Sequence, residues 1–359
     1  MVLLTTQTFW SGLNGSSARI RMLADALSRR VALSVLVPQA LPNEELRALR
    51  RCLPQARCAS LGLPQSGRRS EALRVLAAWL ASQPQDACLF EFLDTDWLRA
   101  AVPQGVLTLI DTHNVSSDLP TSAAATAISV DEERRRLAAF DRVIAIAEPD
   151  RQRFAGWLGA QRVLLVPHAV QTTALPLPQR DAARRVLFVG SQWAPNVVAL
   201  RAFIDECWPA LAPTGLRLSV AGGAGLAARV ADMPGVDVLG RLPDLRPAYA
   251  DADIVINPVV LGSGLKIKSL EALAHGRPLV GSPHALRGLP QPDLHRACAV
   301  AVTAADFMRA ITTLAADPAR RQAMAEAALQ LVGDHFSAVR CHAPLWQALG
   351  LPSEERAGK

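Results

Sequence analysis

The sequence predicts two successive α/β domains, each built around a parallel β-sheet. Three observations carry this. The chain has 359 residues, room for two domains of ordinary size. Short, near-continuous apolar runs alternate with amphipathic helical patterns, as strands buried on both faces do. The alternation stops once, at Gln171–Arg180, where QTTALPLPQR is polar and proline-bearing, and then restarts with a new first strand. The domains are therefore expected over residues 1–172 and 181–334.

In the first domain the apolar runs place strands at Val2–Thr5, Ala32–Val37, Ala87–Phe92, Val106–Ile110, Arg142–Ala147 and Val163–Val166. Apolar residues at helical spacing place helices at Ser17–Arg29, Ser70–Ser82 and Asp131–Ala139. In the second domain the strands fall at Val186–Val189, Leu216–Ala221, Val236–Leu239, Ile254–Ile256 and Pro278–Gly281. A helix is expected over Val197–Leu211, another from about Leu265 to His275, and a helical tail over Pro318–Leu349. Gly276 stands where a left-handed residue ends the second of these, and Pro278 blocks its continuation.

Half the residues are hydrophobic, a globular composition. The net charge of +6 is a mild excess, and runs such as 134-RRR-136 and 68-RR-69 are short. They fit solvated helix faces, and nothing resembles a base-reading module, so no nucleic-acid partner is expected. The six cysteines, Cys52, Cys58, Cys88, Cys207, Cys298 and Cys341, form no CxxC pair, as suits free thiols in a reducing compartment. The N-terminus lacks a basic segment followed by a long apolar one, and no run reaches the ~18 apolar residues of a membrane span. A cytoplasmic protein is expected, with peripheral contact to a membrane surface left open.

The stretch 262-GSGLKIKSLEALAHG-276 holds the chemistry. Only three lysines occur among 38 basic residues, Lys266, Lys268 and Lys359, and two of them sit here. The turn feeds a helix N-terminus at the carboxyl end of a strand, where open α/β sheets bind ligands. The first-turn N–H groups and the helix dipole favour an anion, and Gly262 and Gly264 let one approach the backbone. Ser263 is placed to cap the helix or to bind the ligand. Lys266 and Lys268 supply point charges suited to phosphate. Glu271, one turn after Lys268, is placed to accept both hydroxyls of a ribose. Phosphate and diol together describe a nucleotide. The plainer reading is a solvated pair of lysines with Glu271 bonded to Lys268; the rarity of lysine weighs against it.

Other loops fit a ligand rim. Gly190 and Ser191 follow the second domain's first strand, in 190-GSQWAPN-196, where a glycine often lies under a phosphate. Gly223-Ala224-Gly225 with Ala228 partly mimics GxGxxG but lacks the acidic partner of a dinucleotide site. In the first domain 111-DTHN-114 projects His113 and Asn114 from a strand end, and 11-SGLNGSS-17 is a glycine-bearing loop before a helix. Glu91 and Glu148 end or follow strands, as helix-terminus carboxylates or as substrate contacts. No GxSxG, HExxH or P-loop occurs, so hydrolase and metalloenzyme classes lack support.

At 188-FVGSQWAPN-196, 236-VDVLGRLPDLRPAYADADIVINP-258 and 261-LGSGLKIKSLEALAHGRPLV-280 the chain resembles the retaining glycosyltransferases of the GT-B fold, the group 1 family also called family 4. Gly15, 110-IDTHNV-115, 140-FDRVIAIAEPD-150 and 164-LLVPHAV-170 match more loosely. The resemblance implies two Rossmann-like domains facing across a cleft, with a C-terminal helix of about 335–359 crossing back to the first. It implies a nucleotide-sugar as co-substrate, no cofactor and no metal. By position, Gly264, Leu265 and Lys266 hold the diphosphate through backbone and Glu271 the ribose. Lys266 or Lys268 stabilises the leaving nucleotide, and Leu242 lies where the base packs. His113 contacts the transferred sugar and Gly15 the acceptor, a glycan, a lipid-linked chain or a small molecule. Envelope or surface glycan synthesis is the expected setting.

Departures are visible. Ser263 stands where the family often has a glutamate, and the usual arginine and lysine are absent from 190-GSQWAPN-196. Ala147 replaces a common serine, and 167-PHA-169 a usual Pro-Asn-Gly. A thinned phosphate site motivates an alternative, a non-catalytic GT-B subunit that partners another transferase. A nicotinamide-dependent oxidoreductase is a third class, disfavoured by the missing fingerprint.

Overall fold

The computed structural model describes residues 1–12, 14–63, 69–119 and 128–353. Leu13, Arg68, Lys359 and the end of the expected C-terminal helix lie outside them.

The chain divides into two compact units. The first comprises Met1–Ser117, Ala127–Val166 and Pro344–Ser353; the second contains Pro167–Ala343. The first unit holds a seven-stranded sheet: β1 (Val2–Leu4), β2 (Ser34–Gln39), β3 (Arg57–Leu63), β4 (Ala87–Glu91), β5 (Leu107–Asp111), β6 (Arg142–Ala145) and β7 (Val163–Leu165). Their order is β3-β2-β1-β4-β5-β6-β7, and every pairing is parallel. The second holds β8 (Arg185–Val189), β9 (Arg217–Ala221), β10 (Val236–Gly240), β11 (Ile254–Asn257), β12 (Leu279–Gly281) and β13 (Cys298–Val300), in the order β10-β9-β8-β11-β12-β13, again all parallel. Each sheet reverses its strand order once, at β1/β4 and at β8/β11. Loops leaving the carboxyl ends of strands at such a switch point diverge and leave a crevice.

Burial explains why these runs are strands. Val2, Leu3 and Leu4 are fully buried, as are Leu89, Phe90, Leu109 and Ile110, because helices cover both sheet faces. Leu345 and Trp346, at the end of the chain, pack into the first unit's core beside Leu3, Leu27 and Val166.

Several elements depart from the sequence reading, among them β13 and the helix Ala304–Ala316, which it did not place. β3 was not expected: RCASLGL is an edge strand with mixed burial, so it lacks an apolar run. The helix Asn43–Cys52 was missed because Leu49 is its only buried residue. The expected helix Val197–Leu211 is two helices, Ala194–Glu206 and Trp208–Leu211, parted at Cys207. Pro209 has no N–H to continue the first and sits in the opening turn of the second. The tail also breaks, at Phe336 and Ser337, between Pro318–His335 and Ala338–Ala348.

Gln171–Arg180, read as a linker, has no regular structure but is pinned to the second unit. The buried Arg277 donates to the carbonyls of Leu175 and Pro176, and Arg180 pairs with Asp251 and Asp253. None of the six cysteines is in a disulfide; five are buried, and burial pushes the Cys88 and Cys298 thiols up to about 12. No helix among the described residues is long and apolar enough to cross a membrane.

Candidate active site

In the second unit the loops after β8 and β11 flank the switch point. The helix after the lysine turn runs Ile267–Ala274. Its C-terminal side follows the sequence reading: His275 is the C-cap and Gly276 is left-handed at φ 63°. Its N-cap is Lys266, without a side-chain cap, so Ser263 does not cap it. Gly262 and Gly264 take positive φ, 87° and 75°, conformations that side chains rarely adopt.

The two lysines behave differently. Lys266 turns back on its own loop, and its ammonium donates to the carbonyls of Gly262, Ser263 and Gly264 at 3.0, 2.9 and 3.3 Å. It is a clasp that holds the glycine turn. His284 also meets the Gly262 carbonyl, so the turn is tied from two sides. Lys268 donates to Asn196 Oδ1 at 2.6 Å and lies 4.9 Å from the centre of the Phe188 ring. Asn196 in turn donates to the carbonyl and hydroxyl of Ser191 at 3.1 and 3.2 Å. This chain ties Lys268 to the loop after β8.

Electrostatics follow from this packing. Lys268 keeps some solvent contact, yet protein surrounds its ammonium, and desolvation with help from Lys266 lowers its pKa to about 7. Glu271 is raised to about 7, chiefly by desolvation, with Tyr249 and Lys268 opposing. Tyr249, the only tyrosine of the chain, is buried beside Glu271. The two groups that would bind phosphate and diol thus titrate near neutrality, a pattern common at functional sites.

The loop after β9 supports Gly190. A Cβ on Gly222, whose φ is 95°, would lie 2.2 Å from the Gly190 carbonyl oxygen. Gly225 is a packing glycine: its Cβ would strike Val238 at 2.9 Å. This accounts for the partial GxGxxG pattern without a dinucleotide. Trp193 closes the rim. It is 37% exposed, and its indole lies where a Cβ on Gly262 would meet it at 2.6 Å. Leu242 is half-buried in the loop that follows β10.

A second cluster lies in the first unit, around its own switch point. Gly15 opens the helix Gly15–Ser28, capped by the Asn14 side chain. Arg19 on that helix grips Asp111 at the end of β5 through Nε and a terminal nitrogen, at 2.7 and 3.0 Å. Glu91, at the end of β4, pairs with Asp111 across the sheet and meets His113 Nε2 at 2.6 Å. Phe92 stacks on the His113 ring, centroids 3.8 Å apart. Glu133 accepts from the N–H groups of Ser116 and Ser117 at 2.7 and 2.8 Å, which anchors the loop beyond His113. Glu148 pairs with Arg151 at its helix start.

Glu91, Asp111 and His113 hold ligand atoms within 4.8 Å of one another, the spacing of a metal triad. Arg19 already takes both Asp111 oxygens, and Glu91 takes His113 Nε2. A cation there would displace a buried guanidinium, so the set fits an internal network better than a metal.

Asn196 and Tyr249 were missed as site residues, although both stand in motifs quoted for the resemblance. Arg19 was missed because it lies within an amphipathic helix and gives no sequence signal. Asp111 was quoted only as a neighbour of His113.

The family model for glycosyl transferases group 1 matches residues 183–334. The chain is similar to sucrose-phosphate synthase from Thermosynechococcus elongatus, at 16% identity over 97% of this chain and 95% of that one, with a TM-score of 0.71. It is similar to HepE from Anabaena in complex with UDP and glucose, at 14% identity over 97% and 98%, with a TM-score of 0.73. It is also similar to the lipopolysaccharide outer core galactosyltransferase WaaB, at 14% identity over 97% and 98%, with a TM-score of 0.68. No curated protein matches the chain.

Proposed function

We propose that this protein, whose fold is GT-B and whose residues 183–334 match the family model for glycosyl transferases group 1, moves a sugar from a nucleotide-sugar donor to an acceptor hydroxyl, with retention at the anomeric carbon. One observation carries the reading most of the way. Lys268 is held by Asn196 beside the glycine turn that opens the helix Ile267–Ala274, within the family match. A cation and a helix N-terminus together suit a diphosphate.

On this reading the parts have separate tasks. The turn from Gly264 to Lys266 offers backbone N–H groups to the diphosphate, and Lys266 keeps that turn in shape. Lys268 meets the charge that develops on the leaving group. Glu271 takes the ribose hydroxyls, and Gly190, Ser191 and Leu242 line the nucleotide. His113 contacts the transferred sugar, and Gly15 belongs to the acceptor side. The bond from the anomeric carbon to the diphosphate oxygen breaks, and the acceptor oxygen bonds that carbon on the same face. The acceptor proton passes to the departing phosphate, so no separate base is required. Fixed positive charge lowers the barrier because it stabilises an anion present only late in the reaction. Lys268 and the helix dipole supply that charge without a metal. Envelope or surface glycan synthesis is the proposed setting.

Lys266 is engaged by backbone carbonyls and Lys268 by Asn196, which favours the second reading, a non-catalytic subunit that supports another transferase. Calorimetric titration with UDP, GDP, dTDP and ADP in the presence of a chelator separates the two. UDP comes first, since HepE was crystallised with UDP and with UDP-glucose. Binding of one nucleotide, lost in Lys268→Ala, is the expected result. Silence with all four would overturn the transferase reading and leave the subunit reading.

A further inference from the structure

The His113 network contains more order than a sugar contact requires. Glu91 is fully buried and His113 is 8% exposed. Both His113 and Phe92, the ring stacked on it, take positive φ, 59° and 68°, which side chains rarely adopt. Such conformations are strained and persist where surrounding structure over-determines them. Here the ring is fixed in plane by Phe92 and in direction by Glu91.

The neighbours of Nε2 bear on which ring nitrogen carries the hydrogen. His113 Nε2 faces two carboxylate oxygens, Glu91 Oε2 at 2.6 Å and Asp111 Oδ2 at 3.7 Å. When ionised both are acceptors, so a hydrogen on Nε2 then satisfies the site and a lone pair there would oppose two others. Arg19 covers Asp111 and also donates to the Val166 carbonyl at 2.9 Å, which fixes the carboxylate from behind. Burial pushes the Glu91 carboxyl up, against the hydrogen bond from His113 and the charge of Arg19. Burial therefore favours a protonated Glu91 and the opposite tautomer, while the two acceptors favour hydrogen on Nε2.

We propose that Glu91 is a positioning residue, which holds the hydrogen of His113 on Nε2 and leaves the Nδ1 lone pair to accept a hydrogen bond from a sugar hydroxyl. The contact to sugar rests on the transferase reading above; the pairing itself does not. With Nε2 committed, Nδ1 is the only ring nitrogen left for a ligand. A hydroxyl is the group it then selects, because a lone pair there rejects carboxylate and phosphate oxygens.

The test uses the full chain with ¹⁵N-labelled histidine imidazoles, with the His113 resonances assigned through His113→Gln. Long-range ¹H–¹⁵N spectra of the wild type are expected to show hydrogen on Nε2 of His113. Glu91→Gln, whose amide can turn either atom toward the ring, is expected to mix the tautomers. With UDP-glucose as the donor probe it should lower kcat by about tenfold or more, with UDP affinity held within about twofold, and Glu91→Asp should recover part of the loss. Hydrogen on Nδ1 in the wild type would overturn the proposal and needs no variant to fold. Full kcat in Glu91→Gln would also overturn it. Loss of nucleotide affinity and melting temperature alongside kcat would reduce Glu91 to a structural part. A fixed Nε2 hydrogen in a protein that neither binds a nucleotide nor transfers a sugar would overturn the sugar contact together with the transferase reading.

Discussion

Replacing Lys268 by methionine should stabilise the ligand-free protein and disable it. The pKa of Lys268 falls from 10.5 to about 7 on folding, mainly by desolvation. Its depressed value gives stability that is fully present above 10.5 and lost as pH falls through about 7. Between those values the unfolded chain holds a proton that the folded protein sheds, so stability rises with pH across the window. A shift of this size corresponds to roughly 3–5 kcal/mol withheld at and below neutral pH, an upper range. Methionine removes that penalty but leaves Asn196 Oδ1 without its donor, a loss of about 1–3 kcal/mol. A net gain on the order of 1–3 kcal/mol remains, a few degrees in melting temperature for units of this size. Thermal melting of wild type and Lys268→Met at pH 7 and pH 10, with and without UDP, reads all of it. Expected are a higher melting temperature for the variant at pH 7, a smaller difference at pH 10, and no stabilisation of the variant by UDP. A variant less stable than wild type at pH 7, with the same pH slope, would refute the desolvation argument. Equal stabilisation of both proteins by UDP would refute the phosphate role.

Lys266→Ala should act in the opposite sense. Three carbonyls lose an ammonium donor, so stability should fall by roughly 2–4 kcal/mol in urea unfolding, and nucleotide affinity should fall with it as the turn loosens. Gly222→Ala should cost at least about 2 kcal/mol, since its Cβ would overlap the Gly190 carbonyl at a left-handed φ; melting temperature checks this. Arg19→Met should cost about 3–5 kcal/mol, because it leaves Asp111 buried without its partner; urea unfolding measures the loss. Glu271 has a folded pKa raised to about 7, so its contribution is present below 4.5 and lost as pH rises through 7. Glu271→Gln should therefore flatten the fall in stability between pH 4.5 and 7, and should weaken binding of UDP more than of its 2′-deoxy analogue.

Much of the fold was legible because burial on both sheet faces forces continuous apolar runs. Leu3, Leu89 and Leu109 announce their strands for that reason. β3 and the helix Asn43–Cys52 did not, since each buries few side chains and so carries little apolar pattern. The lysine turn was legible through the scarcity of lysine and its glycines, whose backbone conformations exclude most side chains. Its internal division of labour was not. Lys266 and Lys268 are two residues apart and chemically identical, and nothing in their spacing tells which one clasps the loop. That depends on Asn196 and Phe188, some seventy residues earlier in the chain.

The sequence by itself determined the two parallel-sheet units, the switch-point turn at 262–268 and the resemblance to a family of sugar transferases. These are properties of local pattern: apolar period, glycine placement, a helix start after a strand. Tertiary structure alone decided that Lys268 and Glu271 are desolvated toward neutrality, and that Arg19, Glu91, Asp111 and His113 close into one network. Desolvation and buried hydrogen bonds depend on atoms from distant segments meeting within a few ångströms. A linear pattern carries no record of that meeting until the chain has folded.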